Sequence, residues 1–426
     1  MTGDVRIVEP LAAPPGAVVA VPGSKSIANR ALVCAALARG TSVLANVPDG
    51  DDTVAMLGCL RALGLDAGID GDRVTITGRG APSAPAALHA ALAGTTSRFV
   101  TALAALGTRP ITVDGLPPLR RRPFAPLQDA LVQLGVSVRP EGDWGSLPVE
   151  VCGPPTGGTV RIPGDVSSQY VTALMLVGPY LPGGLRLELT SPLVSRPYVE
   201  MTAAVMAWFG HRGVTVGEDL VTVEAGTYAP SEVFVEPDAS SASYPLAIAA
   251  VTGGWAEVPG LGEGALQGDA RFADLLAGMG CRVERTARAV RVTGTGALRG
   301  IDVDMADISD LVPTVAAVAL FADTPTRIRG VGFIRAKESD RLGDLARELR
   351  TLGGDVTETE DGLQVAPSRA ALHGGRLGTH HDHRLAMAFG VVGCVVPGVE
   401  VQDPSVVSKS WPGYWDMLAG LRPRSG

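Results

Sequence analysis

Lysine is almost missing from this chain of 426 residues. Only three of its 36 basic residues are lysines, at Lys25, Lys337 and Lys409, and the other 33 are arginines. The two cations differ in chemistry, because an ammonium group can shift its pKa and deliver a proton whereas a guanidinium stays charged. Lysines that persist against so strong a preference for arginine are therefore candidates for a chemical role.

Positive charge and aromatic residues are also scarce, which excludes a nucleic-acid-binding protein and constrains the composition of the core. Positive charge is in deficit, since the formal net charge is −8, and a protein that binds nucleic acid would need a broad basic face. Aromatic residues make up only 4% of the chain, against 46% for all hydrophobic residues. The core must therefore be built mainly from Ala, Val and Leu. From the deficit of positive charge, we expect an enzyme with no nucleic-acid partner.

Cysteine is scarce and unpaired in the sequence. The five cysteines form no CxxC pair and mostly lie in apolar runs, which is the usage of reducing compartments. No apolar run reaches the length of a membrane span, and the first residues, Met-Thr-Gly-Asp-Val-Arg, contain no signal-peptide core. We therefore expect a cytoplasmic protein without a membrane partner.

What the chain does contain is a sixfold repeat. A polar anchor opens an Ala/Leu/Val-rich stretch at intervals of 67 to 74 residues, and a second segment ends at a glycine at intervals of 70 to 75 residues. The anchors are Arg30, Arg98, Gln169, Ser243, Asp310 and Arg384, and the glycines are Gly64, Gly135, Gly210, Gly280 and Gly353. Two independent markers that keep one period indicate repeated structural units.

Each repeat predicts the element order β-α-β-α-β-β, because two helical segments are followed by short alternating stretches. Six repeats divide into two domains of three units, residues 24–236 and residues 1–23 plus 237–426, with the changeover near residues 228–237. The fold class is therefore α/β (α+β). Because the first helix of each unit is apolar almost all round, it should pack inside its domain, with the polar anchor facing outward.

Residues 21–30, Val-Pro-Gly-Ser-Lys-Ser-Ile-Ala-Asn-Arg, open the first of these helices. They present two hydroxyls, an ammonium and a guanidinium where a helix begins, and helix starts attract anions. Taken alone, the stretch is also compatible with a capped helix whose charges are solvated. If three such helix starts from each domain point into one cleft, they form a strongly anion-attracting site.

Seven motifs, in order along nearly the whole chain, resemble those of the 5-enolpyruvylshikimate-3-phosphate synthase (EPSP synthase) family of enolpyruvyl transferases. They are Pro-Gly-Ser-Lys-Ser-x-x-Asn-Arg at 22–30, Ala-Gly-Thr-Thr-x-Arg at 93–98, Arg-Pro at 122–123, Ser-Ser-Gln at 167–169, Lys-Glu-Ser-Asp-Arg at 337–341, Asp-His-Arg at 382–384, and Lys409. The resemblance implies helices packed inward, sheets outside and an active site in the cleft between the domains. Three positions differ from the usual pattern: Leu92, where many members have Asn, Phe333, where an Asn often contacts substrate, and Phe99.

The reaction implied by the resemblance transfers the enolpyruvyl group of phosphoenolpyruvate to the 5-hydroxyl of shikimate 3-phosphate and releases phosphate. It proceeds by addition and elimination through a tetrahedral intermediate, in aromatic amino acid biosynthesis. Addition across an enol needs a proton for the methylene carbon, a base near the hydroxyl and a negative group near the cationic carbon. By resemblance Lys25, Asp310 and Glu338 fill these roles, and which of them moves which proton stays open.

The resemblance also assigns the ligand contacts, and the family's inhibitor glyphosate is expected in the phosphoenolpyruvate site. For shikimate 3-phosphate the residues are Lys25, Ser26, Arg30, Ser167, Ser168, Gln169, Ser195, Tyr198, Asp310 and Lys337. For phosphoenolpyruvate they are Lys25, Gly94, Arg122, Gln169, Arg341, Arg384 and Lys409. Individually they have ordinary alternatives: the serines at 167–168 suit a helix cap, Glu338 and Arg341 an exposed pair, and residues 120–122 a solvated basic run.

Other functions are less well supported by the sequence. His380-His381-Asp382-His383 is a candidate metal site, but adjacent residues cannot all face one ion on a regular element, so we expect no metal. Residues 293–296, Thr-Gly-Thr-Gly, lack the third glycine of a dinucleotide loop, and no cofactor is expected.

Two rivals share the repeat pattern. The sister enolpyruvyl transferase acting on UDP-N-acetylglucosamine would show a Lys-Asn pair and a loop cysteine, whereas this chain has Lys25-Ser26 and no cysteine in residues 116–122. A repeat scaffold that only binds phosphoanions would have no need of Asp310 or Glu338. We expect a monomeric enzyme.

Overall fold

The computed structural model describes residues 4–422 and divides the chain into two compact units. The first unit is Gly23–Glu236, and the second unit is Met1–Pro22 together with Pro237–Gly426. Gly23 thus lies in the first unit, one residue from the boundary expected from the sequence. Residues 1–3 and 423–426 of the expected second domain lie outside the described residues.

The elements are numbered in chain order. The strands are β1 (Val5–Val8), β2 (Gly16–Val18), β3 (Gly40–Ala45), β4 (Asp66–Asp70), β5 (Arg73–Gly78), β6 (Ala86–His89), β7 (Ile111–Asp114), β8 (Ser137–Pro140), β9 (Val149–Cys152), β10 (Gly158–Ile162), β11 (Leu185–Leu189), β12 (Val214–Val216), β13 (Leu220–Val223), β14 (Glu232–Phe234), β15 (Trp255–Pro259), β16 (Arg282–Arg285), β17 (Ala289–Thr293), β18 (Asp302–Asp304), β19 (Thr326–Arg329), β20 (Val356–Glu358), β21 (Leu363–Val365), β22 (Gly375–Leu377) and β23 (Val399–Gln402).

The α-helices are α1 (Lys25–Leu37), α2 (Asp51–Ala62), α3 (Gly94–Ala105), α4 (Pro117–Arg120), α5 (Ala125–Gln133), α6 (Ser168–Val177), α7 (Arg196–Trp208), α8 (Ala239–Thr252), α9 (Phe272–Gly278), α10 (Val312–Ala319), α11 (Gly343–Thr351), α12 (His383–Gly393) and α13 (Tyr414–Gly420). Short 3-10 helices cover Gly178–Tyr180, Gly268–Arg271, Ser309–Leu311, Gly332–Ala336 and Pro404–Lys409.

The first unit contains three sheets with the same topology. Their strand orders are β14-β3-β5-β4, β6-β7-β9-β8 and β10-β11-β13-β12. In each sheet the first two strands are parallel and the remaining neighbours are antiparallel. In the second and third sheets a helix, α3 or α6, joins the parallel pair in a β-α-β crossover. The first repeat takes its first strand, β14, from the end of the unit.

The second unit repeats this arrangement with strands borrowed from the N-terminus. Its sheets run β2-β15-β17-β16, β18-β19-β21-β20 and β22-β23-β1. Strand β2 is parallel to β15, and β1 is antiparallel to β23. The predicted α/β fold of β-α-β-α-β-β repeats is confirmed, although within residues 4–422 the sixth sheet has three strands rather than four.

The first helix of each repeat lies inside its unit, as its apolar sequence predicts. Every residue of α12 is buried, and so is every residue of α8 except Thr252. The strands alternate instead: β5 reads exposed, buried, exposed, buried over Arg73–Ile76, which is the pattern of a sheet with one solvated face. Within residues 4–422, none of the helices combines the length and the apolar character needed to span a membrane.

The expectation that the polar anchors face outward is wrong for four of them, because Arg384 is buried as well as Arg30, Arg98 and Ser243. Arg30, Arg98 and Ser243 lie in the second turn of their helices and are buried. The two arginines donate back to carbonyls one turn earlier, Arg30 to Ser26 and Arg98 to Gly94. Because these bonds satisfy part of each guanidinium inside the helical layer, a buried charge is tolerated where the apolar pattern suggested an exposed one.

Candidate functional site

In the first unit, α1 begins as the Gly-Ser-Lys-Ser motif predicts. The Ser24 hydroxyl accepts from the amide of Ile27, which caps the helix. The next residue, Lys25, places its Nζ 2.8 Å from Oδ2 of Asp52, a carboxylate that is only 3% exposed. Asp52 is not predicted from the sequence, because an acidic residue in the first turn of a helix is ordinarily explained by the helix dipole.

The Arg30 guanidinium is surrounded by protein groups. It donates to the carbonyl of Ser26 and to the hydroxyls of Thr202 and Thr172. It also donates to the carbonyl of Tyr198 and lies over the Tyr198 ring. Burial lowers the pKa of Arg30 to about 10, so the side chain stays charged at neutral pH and holds Ser26 and Tyr198 in place.

Three of the serines predicted to bind shikimate 3-phosphate lie at the starts of two neighbouring helices. Ser167 caps α6 by accepting from the amide of Gln169, and Ser168 is the first residue of that helix. Ser195 precedes α7 in the left-handed conformation, with φ 54°, and its carbonyl accepts from the amide of Tyr198. A positive φ at a residue other than glycine is strained, and here it sits at a predicted binding residue.

Gly94 and Arg122, which the sequence predicts in one ligand site, lie against each other. A Cβ at Gly94 would overlap the guanidinium of Arg122 and would lie 2.8 Å from Nη1 of Arg98. Gly94 is also the first residue of α3, and its carbonyl accepts from Arg98 at 2.8 Å. The glycine therefore allows two guanidinium groups to approach the helix start.

The second unit brings all of its predicted site residues into one ion network, hereafter the ion cluster. Its members are Asp310, Lys337, Glu338, Arg341, Asp382, Arg384 and Lys409. Arg341 is at the centre and is 1% exposed: it donates to Asp310 at 2.9 Å, to Glu338 at 2.8 Å and to Asp382 at 2.7 Å. This geometry rules out an ordinary exposed pair of Glu338 and Arg341.

The remaining cations of the ion cluster contact its carboxylates from other elements. Arg384 lies 2.7 Å from Oδ2 of Asp310, and Lys337 lies 3.8 Å from its Oδ1. Lys409, from the 3-10 helix Pro404–Lys409, lies 3.4 Å from Oε1 of Glu338. Two of the three lysines in the chain thus meet in the ion cluster.

Charge in the ion cluster fixes the protonation of Asp310. Burial alone would raise the pKa of this carboxyl group, but Arg384, Lys337 and Arg341 outweigh burial and hold the pKa well below its usual range. Burial likewise works against the charge of Arg341, while Asp382, Glu338 and Asp310 raise its pKa. At neutral pH the ion cluster therefore contains an ionised aspartate fixed among cations.

Asp382 is a residue of the ion cluster to which sequence analysis assigned no role. It is fully buried, caps α12 through the amide of Arg384 and accepts from Ser339 and Arg341. Its place in the Asp-His-Arg motif was the available signal. The cap explains why an aspartate there can orient two arginines at once.

A second buried network in this unit, made of Asp238, Ser240, Gln267 and Asp269, was also missed. Gln267 donates to Asp238 at 3.0 Å and to Ser240 at 2.9 Å, and Ser240 donates to Asp269. Burial, with the charge of Asp310 as a smaller cause, raises the pKa of Asp269 to about 6. No sequence motif marks this network, because its members come from segments nearly thirty residues apart.

The histidine-rich stretch is used for contacts within the protein. His380 Nε2 lies 2.7 Å from Oε1 of Glu348, and buried His383 lies 3.6 Å from Asp382. Within residues 4–422, no group of three or more His, Cys, Asp or Glu side chains is placed to hold a metal ion. Phe333, the departure noted above, lies under Lys337, whose Nζ is 5.8 Å from the ring centroid.

The chain is similar to known proteins over nearly its whole length. Residues 12–418 match the family model described as EPSP synthase (3-phosphoshikimate 1-carboxyvinyltransferase). Proteins named 3-phosphoshikimate 1-carboxyvinyltransferase from Nostoc punctiforme and Serratia proteamaculans are each 40% identical, covering 94% and 95% of this chain and 95% of each relative. An EPSP synthase structure from Acinetobacter baumannii superposes with a TM-score of 0.82 at 25% identity, covering 98% of both chains.

Proposed function

The chain belongs to the EPSP synthase family, and from this premise we propose that it transfers the enolpyruvyl group of phosphoenolpyruvate to the 5-hydroxyl of shikimate 3-phosphate. Inorganic phosphate is the second product, and the reaction is a step of the shikimate pathway to aromatic amino acids. The observation that carries the proposal is the ion cluster, in which three carboxylates and four cations meet in the second unit.

The proposed reaction balances as an addition followed by an elimination. The 5-hydroxyl of shikimate 3-phosphate gives up its proton to a base as its oxygen bonds to C2 of phosphoenolpyruvate, and C3 takes up a proton, which gives a tetrahedral intermediate. C3 then loses a proton and the bond from C2 to the phosphate oxygen breaks, so that phosphate leaves. The substrates bring two phosphates and two carboxylates together, and neighbouring cations are needed to offset their repulsion.

We assign the chemical steps to Lys25, Asp310 and Glu338. Asp310 is supported as an ionised carboxylate by the lowering of its pKa, which suits a fixed negative group near the cationic carbon better than a base, because a lowered pKa weakens proton acceptance. Glu338 contacts both Arg341 and Lys409. Lys25 is held by buried Asp52, which fixes the direction of its ammonium group.

Binding of the two substrates is assigned to residues on both units. Shikimate 3-phosphate is held by Lys25, Ser26, Arg30, Ser167, Ser168, Gln169, Ser195, Tyr198, Asp310 and Lys337. Phosphoenolpyruvate is held by Lys25, Gly94, Arg122, Gln169, Arg341, Arg384 and Lys409. Because each list takes residues from Gly23–Glu236 and from Pro237–Gly426, we infer that both units contribute to one site. Arg30 acts by holding Ser26 and Tyr198 beside the ligand.

We further infer four properties of the working enzyme. It acts in the cytoplasm, a reducing compartment that suits its five free cysteines. It acts as a monomer. It needs no metal or other cofactor, because the addition and elimination require proton transfers and anion binding alone. Glyphosate competes with phosphoenolpyruvate, since both are compact anions for the same cations.

A phosphate-release assay tests the proposed function. Phosphate should appear with phosphoenolpyruvate and shikimate 3-phosphate together, and not when UDP-N-acetylglucosamine replaces the acceptor. Glu338→Gln should lose at least tenfold in kcat, whereas Glu400→Gln, which alters an exposed pair with Arg376, should keep wild-type rates. Turnover with UDP-N-acetylglucosamine, or equal rates in the two variants, would contradict the proposal.

A further inference from the structure

Arg98 is a buried cation for which the proposed function gives no role. Its side chain is 3% exposed and lies between the Phe124 and Tyr170 rings, whose centroids are 5.3 and 5.7 Å from the guanidinium carbon. A charge is expensive to bury unless its hydrogen bonds are made. Two of them reach backbone carbonyls on different segments: Gly94 at 2.8 Å and Pro123 at 2.9 Å.

The Pro123 carbonyl has a second donor. The hydroxyl of Tyr170, whose ring is buried in α6, donates to the same oxygen at 2.5 Å. A carbonyl oxygen accepts two hydrogen bonds through its two lone pairs, so Arg98 and Tyr170 together hold this oxygen. We call this arrangement the Pro123 clamp.

The segment that is held carries Arg122. Proline has no backbone N–H and a fixed φ, so the backbone of residue 123 can be hydrogen-bonded only through its carbonyl, and holding that oxygen restricts the position of the preceding residue. Arg122 is that residue, and its guanidinium lies against Gly94. One planar guanidinium, that of Arg98, therefore sets the distance between the Gly94 helix start and the Arg122 segment.

We propose that Arg98 and Tyr170 are positioning residues for phosphoenolpyruvate, because the Pro123 clamp places the Arg122 guanidinium beside Gly94. The role rests on the proposed function, in which Gly94 and Arg122 bind that substrate. Tyr170 directly follows Gln169 at the start of α6, so the clamp also ties the helix start proposed for the shikimate phosphate to the Arg122 segment.

Tyr170→Phe is the sharpest test, because it keeps the ring beside Arg98 and removes only the hydroxyl. The Michaelis constant for phosphoenolpyruvate should rise roughly five-fold, within the range that one neutral hydrogen bond supports. The Michaelis constant for shikimate 3-phosphate and kcat should stay within about twofold of wild type, because the helix start of α6 is intact. A merely structural role would instead change both Michaelis constants together, or lower kcat in proportion to the folded fraction.

Tyr180→Phe is the matched control. The Tyr180 hydroxyl also donates to a backbone carbonyl of the first unit, that of Leu37 at 2.7 Å, and takes no part in the proposed binding. This variant should keep the wild-type constant for phosphoenolpyruvate. A rise equal to that of Tyr170→Phe would overturn the positioning role.

Arg98→Lys extends the test to the other half of the clamp. An ammonium group cannot reproduce the planar fork between two carbonyls, so this variant should raise the phosphoenolpyruvate constant more than tenfold. Unchanged constants in Arg98→Lys and Tyr170→Phe, with an active wild type, would overturn the inference while leaving the proposed function intact. A wild type without turnover would overturn the proposed function itself.

Discussion

At the scale of single residues, the lysine side chains of this chain are paired with neighbours of opposite charge. The sequence predicted that the three lysines have special roles, and the structure gives each an acidic neighbour: Asp52 for Lys25, Asp310 for Lys337 and Glu338 for Lys409. Composition alone identified the cations. It could not identify Asp52 or Asp382, because an acidic residue among 44 carries no signal until the fold places it beside a cation.

Lys25→Arg tests whether charge alone is sufficient at the start of α1. The guanidinium would keep the charge beside Asp52 but would be larger and would not release a proton near neutral pH. We expect kcat to fall at least a hundredfold while the thermal midpoint stays within a few degrees of wild type. Near-wild-type turnover in Lys25→Arg would exclude both a proton-transfer role and a compact-charge role for this residue.

Gly94→Ala tests the close approach of Arg122 to α3. The added methyl group would overlap the Arg122 guanidinium, so that side chain must shift. Glyphosate is longer than phosphoenolpyruvate and should meet the obstruction first. We expect its inhibition constant to rise by a larger factor than the Michaelis constant for phosphoenolpyruvate, with Gly58→Ala as an unrelated glycine control. Equal factors for the two ligands would refute this steric explanation.

Asp269→Asn tests the buried carboxyl group that faces Asp238, Asp310 and Arg384. Its pKa of about 6 lies above the unfolded value, so the folded state holds the proton more tightly between about pH 4 and pH 6. The associated stability is present at low pH and is lost as pH rises through 6. Thermal denaturation should show Asp269→Asn gaining on wild type from pH 4.5 to pH 7.5, by up to roughly 3 kcal/mol. A difference independent of pH would contradict the raised pKa.

At the scale of elements, the glycine marker shows how a local signal fixes a helix end. The five marker glycines have φ between 79° and 104°, the left-handed region that glycine adopts readily. After each one, an amide bonds back to a carbonyl five residues earlier, as Leu65 does to Leu60 and Val136 to Leu131. This is a Schellman motif, and its rule is local enough to be predicted from sequence.

The anchors show the limit of such local rules. The sequence located Arg30 and Arg98 correctly as polar positions in apolar helices. It could not show that their partners are Thr202, 172 residues away, and Pro123, because those contacts depend on how α1, α3, α6 and α7 pack. The sequence therefore predicts which positions in the apolar helices are polar, but it does not predict that their side chains point inward.

Gly58 and Gly64 give a paired stability test, because glycine is unfavourable at the first position and favourable at the second. Gly58, in the exposed middle of α2, and Gly64, at the end of α2 with φ 82°, both have open space where a Cβ would stand. Gly58→Ala should raise the free energy of unfolding by about 1 kcal/mol, because glycine weakens a helix interior. Gly64→Ala should lower it by about 1 kcal/mol, because alanine is strained at positive φ. Chemical denaturation measures both, and changes of the same sign would contradict the assigned conformations.

At the scale of the whole molecule, the repeat period predicted the six units, and the pairing of β1 and β2 assigns the N-terminus to the second unit. The sequence period could not predict that the sixth sheet would use β1 as its last strand, since that strand lies nearly 400 residues from its partner.

The proposed binding residues are divided between Gly23–Glu236 and Pro237–Gly426. We therefore expect the ligand to change the arrangement of the two units.

Shikimate 3-phosphate should draw the two units together, because its proposed binding residues come from both of them. Small-angle X-ray scattering should show a smaller radius of gyration at saturating shikimate 3-phosphate than in buffer. Shikimate without the phosphate is the control and should produce a smaller change at the same concentration. An unchanged radius with bound shikimate 3-phosphate would mean that the ligand does not engage both units.

The central claim is that this chain moves the enolpyruvyl group and releases the phosphate of phosphoenolpyruvate. Phosphorus-31 NMR of one reaction containing the enzyme, phosphoenolpyruvate and shikimate 3-phosphate follows every phosphate at once. We predict that the phosphoenolpyruvate signal is replaced by inorganic phosphate, while the shikimate phosphate is retained as a shifted phosphomonoester signal in equal amount. Inorganic phosphate arising from shikimate 3-phosphate, or loss of the phosphoenolpyruvate signal without a new phosphomonoester, would contradict the account.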